Sequence, residues 1–161
     1  MSLETFGNWL YDTQVSTFLR EVSWIIPTVQ SIHILAISIV VGSALISDLR
    51  LAGVLATDEK PAAIVRRYLP WMWTALVILL LTGIVMLLAE PGRTLNNSIF
   101  WTKMALVLVA FALTLFFRKP LLDPEFRLDH ARWATMVKPA AWISLLVWVG
   151  VIFCGRWIAY T

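Results

Sequence analysis

Residues 24–47, WIIPTVQSIHILAISIVVGSALIS, form an uncharged and largely apolar run with a single ionisable side chain, His33. A helix that crosses about 30 Å of hydrocarbon at 1.5 Å per residue needs roughly 20 such residues. The run therefore predicts a membrane-spanning helix that ends where Asp48 and Arg50 follow it. The histidine also raises a functional question, because an ionisable group inside a span is costly and by default indicates a protein-lined site.

The composition of the whole chain is typical of a membrane protein. Its 161 residues predict one domain, and the sequence is 60% hydrophobic, well above the usage of soluble domains. Tryptophan is abundant, with 9 residues, as expected where indoles lie at the two membrane boundaries. The single cysteine, Cys154, excludes an intrachain disulfide. Without a nucleophile motif, a phosphate-binding loop or a basic stripe with interleaved aromatics, we expect neither soluble hydrolysis nor nucleic-acid binding.

Three further runs are long and apolar enough to span a bilayer. The first of them ends at Glu90-Pro91-Gly92, the second is interrupted only by Lys103, and the third begins near Pro139, which suits the first turn of a helix. These predicted spans cover residues 71–89, 99–117 and 139–155. Together with residues 24–47 they predict an all-α fold, an integral membrane four-helix bundle formed by residues 1–161.

Basic residues predict the orientation of this bundle, because cytoplasmic connections carry an excess of lysine and arginine. Nine of the 13 basic residues lie between spans one and two or between spans three and four. These nine are Arg50, Lys60, Arg66, Arg67, Arg118, Lys119, Arg127, Arg132 and Lys138. We therefore expect both termini to face the periplasm or the exterior.

The segments outside the spans predict surface structure. Residues 1–23 lack the basic leader and the cleavage site of a signal peptide. Leu3, Phe6, Leu10 and Phe18 fall on one helical face, which predicts a short amphipathic helix on the outer surface of the lipid bilayer, with a partly ordered tail as the alternative. The connections 52–70 and 120–138 are each long enough for a short surface helix.

His33 is the first candidate site residue. It lies about 13 Å inside the predicted outer boundary, nine residues after Trp24. A neutral imidazole can bind haem iron, copper or zinc, or it can donate one hydrogen bond to a serine or backbone oxygen of another helix. Ala36 and Ala44 lie near the same helical face, and such small side chains would admit either a flat macrocycle or a neighbouring helix. Both interpretations stay open on the residues alone.

Three basic residues of the outer half are the other candidates. Lys103 lies inside the third span, Arg93 in the short outer turn and Arg156 near the outer end of the fourth span. Haem carries two propionates, which a group of cations at one membrane face would hold. Alternatively, Lys103 extends to the surface and each arginine faces lipid phosphate. His130 lies in the second cytoplasmic connection, so we expect a surface residue there, too far from His33 to bind the same iron.

Two segments resemble known membrane families. Ser31-Ile-His33-Ile-Leu-Ala36, with Gly42 and Asp48-Leu-Arg50-Leu, resembles the first span of the HemJ-type protoporphyrinogen oxidases and of the CopD copper-resistance family. Residues 100–108, FWTKMALVL, resemble the Trp-x-x-Lys-x-x-Leu start of the third HemJ span. The chain also looks like a group of small bacterial inner-membrane proteins with four spans. The resemblance covers about the first 120 residues.

The resemblance implies a haem b protein of the bacterial inner membrane. His33 would be an axial ligand of the iron, and Lys103 a second ligand or a propionate partner. Such a protein would serve electron transfer or quinone-linked redox chemistry, with a quinone or a redox protein as partner. A HemJ-like tetrapyrrole oxidase, which would make the chain a membrane oxidoreductase, is one alternative. The other is a non-enzymatic copper permease or scaffold subunit in which His33 only locks two helices together.

The oligomeric state stays open at this point. Small residues at Ala105, Ala110 and Ala112 of the third span would let subunits pack as a homo-oligomer, and they suit packing within one chain equally well.

Overall fold

A computed structural model describes the backbone of residues 3–118, 120–122 and 131–160, and the side chains of these residues except 3, 120, 131–134 and 159. Within these ranges the regular structure is entirely helical. The α-helices are α1 (Leu3–Tyr11), α2 (Gln14–Glu21), α3 (Ile25–Ala52), α4 (Pro61–Ala89), α5 (Pro91–Leu95), α6 (Ser98–Phe117) and α7 (Ala131–Trp157). Two 3₁₀ turns, Pro120–Leu122 and Ile158–Tyr160, complete the described elements.

Four of the described helices are long and apolar enough to cross a membrane. They are α3, α4, α6 and the Thr135–Trp157 part of α7. The predicted all-α membrane bundle is therefore confirmed. We call the end where α3 and α6 finish the basic end, and the end where α4 and α7 finish the terminal end.

The four long helices pack as antiparallel neighbours. α3 packs most extensively against α4, α6 packs against α7, and α3 also contacts α7. Small buried side chains form much of the core between them, which lets helix backbones approach closely in lipid. The small core residues are Ala36, Ala44, Ala75, Ala110 and Ala141. Ala36 and Ala44 thus pack helix against helix, and Ala110 serves packing within the chain.

The helix α3 continues beyond its uncharged run. It passes through Asp48 and Arg50 to Ala52, and it ends at Gly53, whose φ of 79° is the left-handed conformation that favours glycine. The helix does not stop at Asp48 because this carboxylate is buried inside the bundle, with 1% of its surface exposed. A charge in the sequence therefore marks neither the end of the helix nor the water boundary here.

The helix α7 begins earlier than predicted. Pro139 does not lie in its first turn: the helix starts at Ala131 and contains Pro139 in its interior. Likewise α4 starts at Pro61 and contains Pro70, so the second half of the connection 52–70 belongs to the spanning helix and not to a separate surface helix. An internal proline removes one backbone hydrogen bond, which long packed membrane helices tolerate.

The N-terminal segment forms two helices where one was predicted. The chain breaks at Asp12-Thr13, and the Thr13 hydroxyl accepts a hydrogen bond from the Ser16 N–H at 3.4 Å, which caps α2. Arg20 then joins α2 to the terminal end of the bundle, because its guanidinium donates to Ser16 Oγ at 2.5 Å and to the Ala89 carbonyl at 3.4 Å. Phe6 and Phe18, on the predicted apolar face, are exposed, as in a surface-bound segment.

Candidate functional site

The His33 ring lies between α3 and α4 in the terminal half of the bundle. Its Nδ1 is 2.6 Å from the Thr82 hydroxyl oxygen of α4. Glycine follows that threonine, and a Cβ at Gly83 would be 3.9 Å from His33 Cε1. The ring is half-buried. The sequence allowed a serine or backbone oxygen of another helix as the partner of this histidine; the partner is a threonine hydroxyl, which only the packing of α3 against α4 identifies.

The hydrogen bonds of Thr82 decide the tautomer of His33. The Thr82 hydroxyl donates to the Ile78 carbonyl at 2.7 Å, one turn earlier in α4, and it has only one proton. We therefore assign the proton of the histidine ring to Nδ1, which donates to Thr82 Oγ1. The other ring nitrogen, Nε2, then carries a free lone pair, and it bonds to none of the described residues. This arrangement leaves Nε2 available to a ligand, and it equally suits a histidine that only joins α3 to α4.

Lys103 lies in the same half of the bundle as His33. It is on α6, five residues after the helix begins. It packs against α7, where a Cβ at Gly155 would be 3.7 Å from Lys103 Nζ. Within the described part of the chain the ammonium forms neither a hydrogen bond nor an ion pair. The structure thus places two of the predicted site residues in the terminal half of the bundle, with His33 between α3 and α4 and Lys103 between α6 and α7.

The two arginines are placed differently. Arg93, on α5, forms an ion pair with Glu90 at 3.4 Å, and both side chains are about half exposed. Arg156 donates to the Tyr160 hydroxyl at 2.5 Å and lies over that ring, 4.8 Å from its centroid. Both arginines are exposed at the terminal end, the end at which they were predicted. Each arginine thus interacts with a side chain close to it in the sequence, Arg93 with Glu90 and Arg156 with Tyr160.

A second polar cluster, which the sequence interpretation missed, lies toward the basic end. Arg118, at the end of α6, donates to Asp48 Oδ1 at 2.5 Å and to Ser144 Oγ of α7 at 3.3 Å. The same guanidinium lies 3.1 Å from the Met72 sulfur of α4. Asp48 and Arg118 have 1% and 2% of their surface exposed, so this pair is deeply buried.

One sequence signal could have found this cluster. Asp48 follows the buried residues Ala36, Val40 and Ala44 at successive steps of four, so it extends the inward face of α3. A carboxylate on that face requires a cation from another helix.

His130 and Lys119 lie outside the described residues.

Comparisons with known proteins give one result. Neither the curated proteins nor the solved structures contain a match. One family model, described as a family of unknown function, DUF6644, matches residues 18–161, a range that includes both polar clusters. The chain therefore belongs to the DUF6644 family.

Proposed function

We propose that this protein binds haem b, with His33 Nε2 as an axial ligand of the iron. The observation that carries the proposal is the bond from His33 Nδ1 to Thr82, which orients the ring and leaves Nε2 with a free lone pair. Gly83 adds little bulk beside the ring. The resemblance of the first and third spans to HemJ-type proteins supports the same cofactor. When bound, haem would supply one-electron chemistry for electron transfer or quinone-linked oxidation.

Lys103 would be a second ligand or the partner of a propionate. An ammonium group without an anion is unfavourable inside a membrane, and a haem carboxylate would provide that anion. Arg93 and Arg156 lie at the same end of the bundle and would contact the propionates only by leaving Glu90 and Tyr160. We therefore assign them a weaker role than Lys103.

The distribution of charge supports a location in the bacterial inner membrane with both termini outside. Nine of the 13 basic residues lie in the sequence between the apolar runs that meet at the basic end, and all but the buried Arg118 would face the cytoplasm. The haem site would then lie in the outer half of the bilayer, where a quinone or an extracytoplasmic redox protein could exchange electrons with it.

An absorption spectrum tests the cofactor. Wild-type protein purified in mild detergent and supplied with haem should show a Soret band. His33→Ala should lose the band and keep the helical circular dichroism, because insertion depends on the apolar runs. His130→Ala is the matched control, since it removes the other of the 2 histidines and should leave the spectrum unchanged. A colourless wild type, or a wild-type spectrum in His33→Ala, would contradict the proposal.

Two substitutions of Lys103 separate its two roles. Lys103→Ala should weaken haem binding in either case. Lys103→Arg keeps a cation for a propionate but offers the iron no comparable ligand. A retained spectrum in Lys103→Arg therefore indicates a propionate partner, and an altered one indicates a ligand of the iron.

The His33–Thr82 bond also supports a second function, that of a scaffold subunit. In this role the histidine joins α3 to α4 and binds no cofactor. The wild type would then stay colourless in the presence of haem, and His33→Ala would lower the thermal stability of the protein in detergent.

A further inference from the structure

The buried pair at the basic end contains an unsatisfied oxygen. Asp48 Oδ1 accepts a hydrogen bond from Arg118, but Asp48 Oδ2 is buried and accepts none from the described residues. A buried carboxylate oxygen without a donor is unfavourable, and more so in a membrane protein, where the surrounding medium supplies none. No described side chain places a donor on Oδ2 itself, although the Ser144 hydroxyl, which accepts from Arg118, interacts with this carboxylate.

A small pocket lies beside this carboxylate. Asp48, Arg118 and Ser144 line its polar part, and its apolar walls include Leu51, Phe117 and Ala140. The pocket leaves about 10 Å³ for the centre of a water molecule, roughly the space that one water requires. It is partly open to the surface of the bundle. Its size and its three polar side chains suit water better than any larger ligand.

Charge also decides which ligand fits. Arg118 occupies one side of the pocket, so a metal cation would be repelled by the guanidinium. An anion would be repelled by Asp48. A neutral donor of hydrogen bonds satisfies both groups, because it can donate to Oδ2 and accept from a neighbouring donor.

We propose that this pocket binds a water molecule that connects Asp48 to the aqueous phase at the basic end, so that Asp48 is a site of proton uptake. Asp48 lies four residues before the end of α3, about 6 Å along the helix. The bound water takes one proton from the aqueous phase as it passes one of its own to Asp48 Oδ2, so that a neutral water molecule stays in the pocket and no cation resides beside Arg118. Arg118 keeps its own proton throughout, and release reverses the step. The proposal does not depend on the presence of haem.

The other charged groups that the structure describes near this end do not compete for Asp48. On α4, Arg66 donates to the Leu122 carbonyl and Arg67 pairs with Glu59, and both arginines are exposed. On α7, Lys138 is exposed. On α3 itself, Arg50 donates to the Glu59 carbonyl. Arg118 is thus the charged group that Asp48 contacts within the described part of the chain.

Radiolytic footprinting tests the water. Hydroxyl radicals generated from an ordered water oxidise side chains near it, and Met72 offers a readout because it is fully buried with its sulfur next to Arg118. We expect Met72 sulfoxide to form in the intact wild-type protein. Ser144→Val, which replaces the hydroxyl by a methyl group and adds a second methyl group that fills part of the pocket, should lose most of this oxidation. An unoxidised Met72 in the wild type would show a dry pocket and overturn the proposal.

Infrared spectroscopy tests the proton. On acidification, the wild type should gain a protonated-carboxyl band that Asp48→Asn lacks and that moves to lower frequency in D₂O. If Asp48→Asn does not fold, Ser144→Val serves as the comparison: it retains the carboxyl, and its band should exchange with D₂O more slowly. A wild type without such a band, or with a band that D₂O leaves unchanged, would identify a purely structural ion pair.

Discussion

At the scale of single residues, the Thr82 hydroxyl determines which nitrogen of His33 is free. Its proton is donated to the Ile78 carbonyl at 2.7 Å, and its lone pair receives the Nδ1 proton. A threonine of the neighbouring helix α4, seven residues before the end of that helix, thus has as much influence on the chemistry of the site as the histidine. A metal-binding role for His33 therefore predicts a phenotype for Thr82.

Replacing Thr82 by valine should impair the site without removing the ligand. Loss of a partner that orients a ligating histidine typically lowers metal affinity by about 10- to 100-fold. We expect Thr82→Val to bind haem more weakly in a titration followed at the Soret band, and Thr82→Ser to bind it as the wild type does. Thr74→Val is the matched control, since that exposed hydroxyl bonds only to the Pro70 carbonyl of its own helix. Equal affinity of Thr82→Val and Thr74→Val would exclude the orienting role.

The buried ion pair leads to a prediction about stability. Asp48→Leu leaves Arg118 buried without its anion, which typically destabilises a protein by about 3–5 kcal/mol. Asp48→Leu combined with Arg118→Met removes both charges and should recover most of this loss. Unfolding in mixed detergent micelles measures both values. A double variant that is as unstable as the sum of the single variants would show that the two side chains do not act as a pair.

Some of these residues were easier to identify from the sequence as candidate site residues than others. His33 and Lys103 stand out because each is an isolated ionisable group inside an apolar run. Asp48 and Arg118 were interpreted as the polar ends of spans, since each stands next to further polar residues in the sequence. Only the packing of α3, α6 and α7 shows that both side chains turn inward. Thr82 gave no signal, because a threonine is ordinary in a membrane helix.

At the scale of helices, hydropathy located the spans but did not give their lengths. The apolar runs correspond to α3, α4, α6 and α7, because burial in lipid depends on composition. The helices extend past these runs at the basic end, where residues such as Arg66 and Arg67 favour helix as readily as apolar ones. Proline was the least reliable signal: Pro61 and Pro91 begin helices, whereas Pro70 and Pro139 lie inside them.

Arg20 should control the attachment of the N-terminal helices. Its guanidinium donates to Ser16, to the Tyr11 carbonyl and to the Ala89 carbonyl of α4, and it stacks on the Tyr11 ring at 3.5 Å. Arg20→Gln should therefore increase local opening of α1 and α2, seen as faster proteolysis before residue 24 in detergent. Glu21→Gln, an exposed neighbour, is the control. Unchanged proteolysis in Arg20→Gln would show that apolar contacts alone hold this segment.

At the scale of the whole molecule, the two polar clusters lie on the same pair of helices. Fifteen residues separate His33 from Asp48 on α3, and fifteen separate Lys103 from Arg118 along α6. This spacing corresponds to about 22 Å of helix. Between the clusters lie mostly apolar core residues such as Val40 and Ala110. Each cluster therefore lies nearer to a different end of the bundle.

Reporter fusions test the proposed orientation. Alkaline phosphatase needs disulfides and is active only outside the cytoplasm. Fused after Tyr160, at the terminal end, it should be active, and fused after Asp58, between α3 and α4, it should be inactive. Green fluorescent protein at the same two positions should give the reverse pattern. Phosphatase activity only at Asp58 would place the termini in the cytoplasm and move the His33 cluster to the inner half of the bilayer.

Proton uptake by Asp48, as proposed above, would be sensitive to membrane voltage because of the depth of this carboxylate. About 6 Å of helix lies between it and the end of α3, roughly one fifth of a 30 Å hydrocarbon layer. A proton that arrives there from the near side crosses about that fraction of the electric field, worth about 0.5 kcal/mol per 100 mV. The apolar core residues between Asp48 and the His33 cluster would block further proton transfer. The protonated fraction of Asp48 would therefore follow the membrane potential of an energised cell, while no proton current passes through the protein.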